Sequence, residues 1–165
     1  MRFNSVKEYF YKLNSRGYQL MMIPLIFFIF YYSQWVIELP ELVLVNKEVA
    51  RALFFGICIF SGISLTAVQA LSKLQANRIA REVGLGIKLE KLGTVLTRKM
   101  VALSILVAAM PFILLITGDG YFSISFAVLS LWYFLQWPTP ARVCRLLKLR
   151  GDEKEMVISR GEAFR

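Results

Sequence analysis

The chain contains no histidine, and that absence removes the commonest general base and metal ligand in one step. No HExxH, Ser-His or Cys-His arrangement can be built from it. Cysteine is nearly as scarce: there are only Cys58 and Cys144, and two isolated cysteines make no metal or redox motif. Cys58 lies inside an apolar run and Cys144 just after another, so no structural disulfide is expected. Cys144 sits where acylation is conceivable, but it also reads as an ordinary small residue. Carboxylates are few, eleven in 165 residues, and none lies well inside the four longest apolar runs. An intramembrane aspartyl pair is thereby excluded. So is the ionisable residue that ion-coupled transporters usually keep at membrane depth. The expectation is no catalytic set, no metal site and no cofactor site.

What fills the chain instead is apolar surface, 57% of residues with a mean hydropathy of +0.56, and it is concentrated. Uncharged runs extend over 17–37, 52–72, 100–118 and 120–141. About 20 apolar residues are needed to cross ~30 Å of hydrocarbon as a helix, so each run is long enough once. Strands of a closed barrel would be ~10 residues long and alternate in polarity, which these runs do not. The fold expected is all-α: an integral membrane protein of one domain, residues 1–165, with four transmembrane helices over about 17–38, 52–72, 100–118 and 120–137. The first run is longer than a signal-peptide core and no small-residue cleavage site follows it, so it reads as a signal anchor.

A net charge of +9 could suggest nucleic acid, but its placement argues otherwise. Residues 1–17 carry a net +3, the 73–99 connection +5 and the 141–165 tail +3, while 38–51 and Asp119 each contribute −1. Eighteen of the twenty Lys and Arg residues therefore fall on one side of an up-down-up-down bundle. The positive-inside rule puts that side, with both termini, in the cytoplasm, and a bacterial inner (plasma) membrane is the expected location. Orientation already accounts for the charge, and no nucleic-acid partner is expected.

Along the chain, Phe3, Val6, Phe10 and Leu13 recur at helical spacing beside Lys7, Glu8 and Lys12, the pattern of a short basic amphipathic helix. It suits an anionic lipid surface, with docking on a partner subunit as the alternative. Pro24 should bend the first span and Pro111 the third. Small residues recur on three spans: Gly56, Cys58 and Gly62, then Ser104 and Ala108, then Ser123, Ala127 and Ser130. They permit close helix packing within the bundle, or self-association. Thr117-Gly118-Asp119-Gly120 makes a tight hairpin of the last two spans, and Pro138-Thr139-Pro140 ends the fourth. Gly84-Leu85-Gly86 lacks the strand and Lys-Ser/Thr ending of a phosphate loop and reads as a turn.

Three cytoplasmic amphipathic helical elements remain as candidate contact surfaces: the N-terminal helix, the 73–99 connection and the 141–165 basic tail. In the connection Leu85, Leu89, Leu92 and Leu96 form a stripe beside Lys88 and Lys91; in the tail Arg142, Arg145 and Lys148 flank apolar residues. The functional expectation is a non-enzymatic accessory or scaffolding subunit. It would contact anionic phospholipids of the bilayer and either a membrane-protein partner or a second copy. The alternative is a small oligomeric channel or transporter using Glu38, Pro111, Ser104 and Ser123. A membrane enzyme working with interfacial Ser, Tyr, Lys or acidic groups ranks third. Topology is directly checkable: reporter fusions are expected to place Val45 and Asp119 outside and Gly86 inside, and a cytoplasmic signal at Asp119 would reverse the arrangement.

Overall fold

The computed structural model describes residues 5–36 and 46–159, which form six helices, with no strand among the described residues. In chain order these are α1 (Val6–Val36), α2 (Lys47–Ile79), α3 (Leu85–Thr117), α4 (Tyr121–Leu135), α5 (Pro140–Leu147) and α6 (Gly151–Ser159). The protein is thus all-α. Two helices, Glu48–Ile79 and Leu85–Thr117, are long and apolar enough to cross a membrane, and Tyr121–Leu135 is a shorter apolar helix. Glu38 and the loop around it lie outside the described residues.

The joints follow from local chemistry. Ser5 opens α1, its Oγ accepting from the Glu8 N–H at 3.1 Å. Between α2 and α3 the chain turns over 80–84 on Gly84, whose φ of +95° suits a residue without Cβ. Between α3 and α4 the Asp119 carboxylate accepts the Tyr121 N–H at 3.1 Å. Thr139 caps α5 by accepting from the Arg142 N–H at 3.3 Å, with Pro140 in the first turn, where its missing N–H has no partner to lose. The fourth apolar helix stops at Leu135, two residues short of the expected boundary, because Gln136 caps it ahead of Pro138.

The basic N-terminal segment is not a separate helix. It is continuous with the first apolar run, α1 passing through Gly17 without a break. Helical glycine costs about 1 kcal/mol relative to alanine. Here a Cβ would lie 2.9 Å from Cη2 of Trp137, so the ring requires the glycine. Trp137 Nε1 donates to Asn14 Oδ1 at 3.0 Å, and its ring packs on Tyr18 at 4.6 Å between centroids.

The chain divides into two compact units. Unit 1 comprises Met1–Tyr18, Ala67–Met100 and Trp137–Arg165. Its core gathers Val6, Tyr9, Phe10 and Leu13 of α1, Ala76 and Ile79 of α2, Leu89 and Leu92 of α3, Val143 and Leu147 of α5, and Val157 of α6. Unit 2 comprises Gln19–Thr66 and Val101–Gln136. Its core is Met21, Leu103, Val107, Met110, Leu114, Phe122, Phe126 and Tyr133. Aromatic contacts join its helices: Phe28 stacks on Phe126 at 4.0 Å, Phe27 lies 5.3 Å from Phe112, and Phe54 is 5.6 Å from both Tyr121 and Phe122.

Within unit 2, Pro24 cannot supply the N–H that would bond the Leu20 carbonyl. The Ser104 hydroxyl of α3 donates to that carbonyl instead. The small residue on α3 is therefore more than a spacer: it replaces the bond that proline removes. Ser104→Ala is expected to lower stability in detergent by about 0.6–2 kcal/mol. In a Pro24→Ala background, where α1 recovers its own bond, the same change should have almost no effect. A double-mutant cycle with equal losses in both backgrounds would refute the pairing.

Candidate functional site

The leucine stripe of α3 faces inward. Leu89 and Leu92 are fully buried in unit 1, Leu96 is 5% exposed, and Leu85 is half-buried. The stripe expected to serve as a surface for lipid or a partner is covered here by the protein's own helices. The same holds for Val6, Phe10 and Leu13 of the N-terminal segment and for Val143 and Leu147 of α5. Periodicity reports that a helix has an apolar face. It does not report whether the covering surface belongs to the same chain. Cys144 is also buried, and burial raises its thiol pKa, so it behaves as a core residue rather than a site for acylation.

Most of the chain's cations belong to unit 1. Lys88 reaches Glu153 of α6 at 2.9 Å and helps hold that helix, and Lys91 pairs with Glu82. Arg142 donates from its guanidinium to the Trp137 carbonyl at 3.2 Å. Arg145 and Lys148 are exposed, Lys148 in the left-handed conformation that ends α5. Lys99 donates to Gln69 Oε1 at 2.7 Å. Burial first, and then the charges of Arg142 and Lys73, pull its pKa down to about 8.

The candidate pathway residues have separate placements. Ser104 is buried and committed to the Leu20 carbonyl. Pro111 is buried in α3, and Ser123 is half-buried in the first turn of α4. At 1.5 Å per residue, Ser104, Pro111 and Ser123 lie roughly 20, 9 and 4 Å from the α3–α4 turn, at three different levels of the hairpin. Glu38 is not among the described residues. No three His, Cys, Asp or Glu side chains among the described residues are grouped to hold a metal ion.

Pairings between helices were not singled out from sequence. Gln69 and Lys99 are each fifteen residues from Gly84, and Ala76 and Leu92 each eight. In an antiparallel pair, positions equidistant from the turn come face to face, so this pairing was available once the turn was fixed on Gly84. The Asn14–Gly17–Trp137 contact had no such signal, because it joins residues over a hundred positions apart.

Leu89→Ala and Leu92→Ala are each expected to cost about 2–5 kcal/mol, read by denaturant titration in mild detergent. Arg150→Gln, at an exposed position, should stay within about 0.5 kcal/mol of wild type. Near-neutral leucine variants would return the stripe to the role of a contact surface. No known family model, curated protein or solved structure matches this chain, so its function has to be argued from its own surfaces.

Proposed function

We propose that this is a four-span protein of a bacterial inner (plasma) membrane with both termini and the 73–99 connection in the cytoplasm. It serves as a non-enzymatic accessory or scaffolding subunit that contacts anionic lipid and a membrane-helix partner or a second copy. The observation that carries this reading is a segregation of surfaces. Of 31 large apolar side chains that stand exposed among the described residues, 24 belong to unit 2, whereas 18 of the 20 Lys and Arg residues belong to unit 1. Soluble proteins rarely expose contiguous apolar patches beyond a few hundred Å², so a unit whose outer surface is this apolar is suited to hydrocarbon. Lysine and arginine concentrated in the other unit fit the cytoplasmic side.

Four crossings require α4 to serve as a span although it has 15 residues, about 22 Å of helix against ~30 Å of hydrocarbon. Its flanks are uncharged from Gly120 and through Ala141, and local thinning of the bilayer accommodates the remainder at modest cost.

Partner contact is assigned to α2. Between Glu48 and Thr66 only Ala50 and Ser61 are buried, and a Cβ at Gly56 or Gly62 would meet nothing within 4 Å. The small residues of α3 act inside the chain, as Ser104 does, but those of α2 stay open to another helix. The test is affinity purification in mild detergent. Wild type should elute at fixed stoichiometry with a membrane partner or with itself, and Gly62→Leu, which fills open space, should lose that association while remaining folded. A lone protein that moved ions or a solute in liposomes would overturn the scaffold reading in favour of transport.

A further inference from the structure

The α2–α3 hairpin of unit 1 carries an open groove of about 320 Å³. Its polar lining is Gln75 and Arg78 from α2 with Lys91, Thr94 and Arg98 from α3, over an apolar floor of Ile79 and Val95. No carboxylate lines it. Glu82 answers Lys91 from outside the lining, whereas Arg78 and Arg98, both exposed, have no ion-pair partner among the described residues. Two guanidinium groups without an ion-pair partner among the described residues thus line one groove. Each also presents the planar fork that matches phosphate oxygens in a bidentate fashion.

We infer that this groove binds the phosphate ester of an anionic phospholipid headgroup, with Arg78 and Arg98 as its principal ligands. The inference rests on the membrane reading above. On that reading the second apolar run ends at Ser72 and the third begins at Met100. Arg98 then stands about 3 Å, and Arg78 about 9 Å, beyond the end of the apolar run on its own helix. The headgroup layer is roughly 5–8 Å thick on each side of a bilayer, so the Arg98 end lies within it and the Arg78 side chain is long enough to reach back. Gln75 can donate to a phosphate or glycerol oxygen, and the Thr94 hydroxyl, already donating to the Glu90 carbonyl at 3.2 Å, can accept from a glycerol hydroxyl. Ile79 and Val95 suit the start of the acyl chains. A soluble phosphate monoester shares the anionic chemistry but has no acyl chains for that floor and no confinement to headgroup depth.

The experiment uses the full chain in a neutral detergent and titrates three probes by native mass spectrometry: phosphatidylglycerol, phosphatidylcholine and soluble glycerol 3-phosphate. Phosphatidylglycerol should bind about tenfold more tightly than phosphatidylcholine. Arg78→Gln combined with Arg98→Gln should erase that preference. Arg150→Gln combined with Lys154→Gln, which removes the same charge elsewhere in unit 1, should retain it. Equal loss in the two double variants would make the effect one of net charge and overturn the site. Glycerol 3-phosphate binding as tightly as the lipid would overturn the lipid as its ligand. Liposome flotation separates this claim from the reading it rests on: a protein that fails to float sinks the membrane assignment, whereas one that floats but shows no headgroup preference sinks the groove alone.

Discussion

A helix surrounded by apolar side chains has no water to complete its hydrogen bonds, and at two places in unit 2 a group from the chain itself supplies the bond. Pro24 opens the gap at the Leu20 carbonyl, and Ser104 closes it from α3. At the end of α3 the Thr117 hydroxyl donates back to the Ile113 carbonyl at 2.8 Å, and Asp119 receives the first free N–H of α4. Packing alone would let α1 slide or rotate against α3, since apolar contact is non-directional. A hydrogen bond from one serine to one carbonyl fixes the register between them. The aromatic contacts of Phe27 and Phe28 lie on the next turns of α1 and build on that register.

Unit 1 solves a different problem. Its segments are short or charged, and none could hold a helix alone in water, where stability comes from covering an amphipathic face. Five helices each contribute one such face. α1 brings Tyr9 and Leu13, α2 Ala76 and Ile79, α3 Leu89 and Leu92, α5 Val143 and Leu147, and α6 Val157. Three amphipathic elements that would suit separate contacts with lipid or a partner are thereby turned toward one another. Cations on their outer faces are left facing outward, some in ion pairs such as Lys88 with Glu153 and some not.

Much of the secondary structure could be read in advance because it has strong one-dimensional signals. The Gly84 and Thr117–Gly120 turns, the prolines after Gln136 and the all-helical class all follow from period, breakers and charge. The continuity of α1 did not follow, because a glycine inside a basic-to-apolar transition looks like a boundary. Only the distant Trp137 ring explains why Gly17 is there. The destination of the leucine stripe was also hidden, since a buried face and a docking face share one period. Of the four expected spans, two described helices are long and apolar enough on their own to cross a membrane.

On the proposed topology, orientation would account for how many cations unit 1 holds but not for where they stand. The positive-inside rule counts residues near the ends of apolar runs and is indifferent to which helix face carries them. Had orientation been the sole demand, Arg78 and Arg98 could sit anywhere on the exposed faces of their helices, well apart in bulk solvent. Instead they line one groove with Lys91, and no carboxylate lines it. The chain supplies carboxylates to Lys12, Lys88 and Lys91 from Glu8, Glu153 and Glu82, so compensation is within its means. A groove left cationic beside compensated neighbours is an arrangement that an external anion would stabilise. On the proposed membrane reading, a lipid headgroup beside Arg98 would be such an anion.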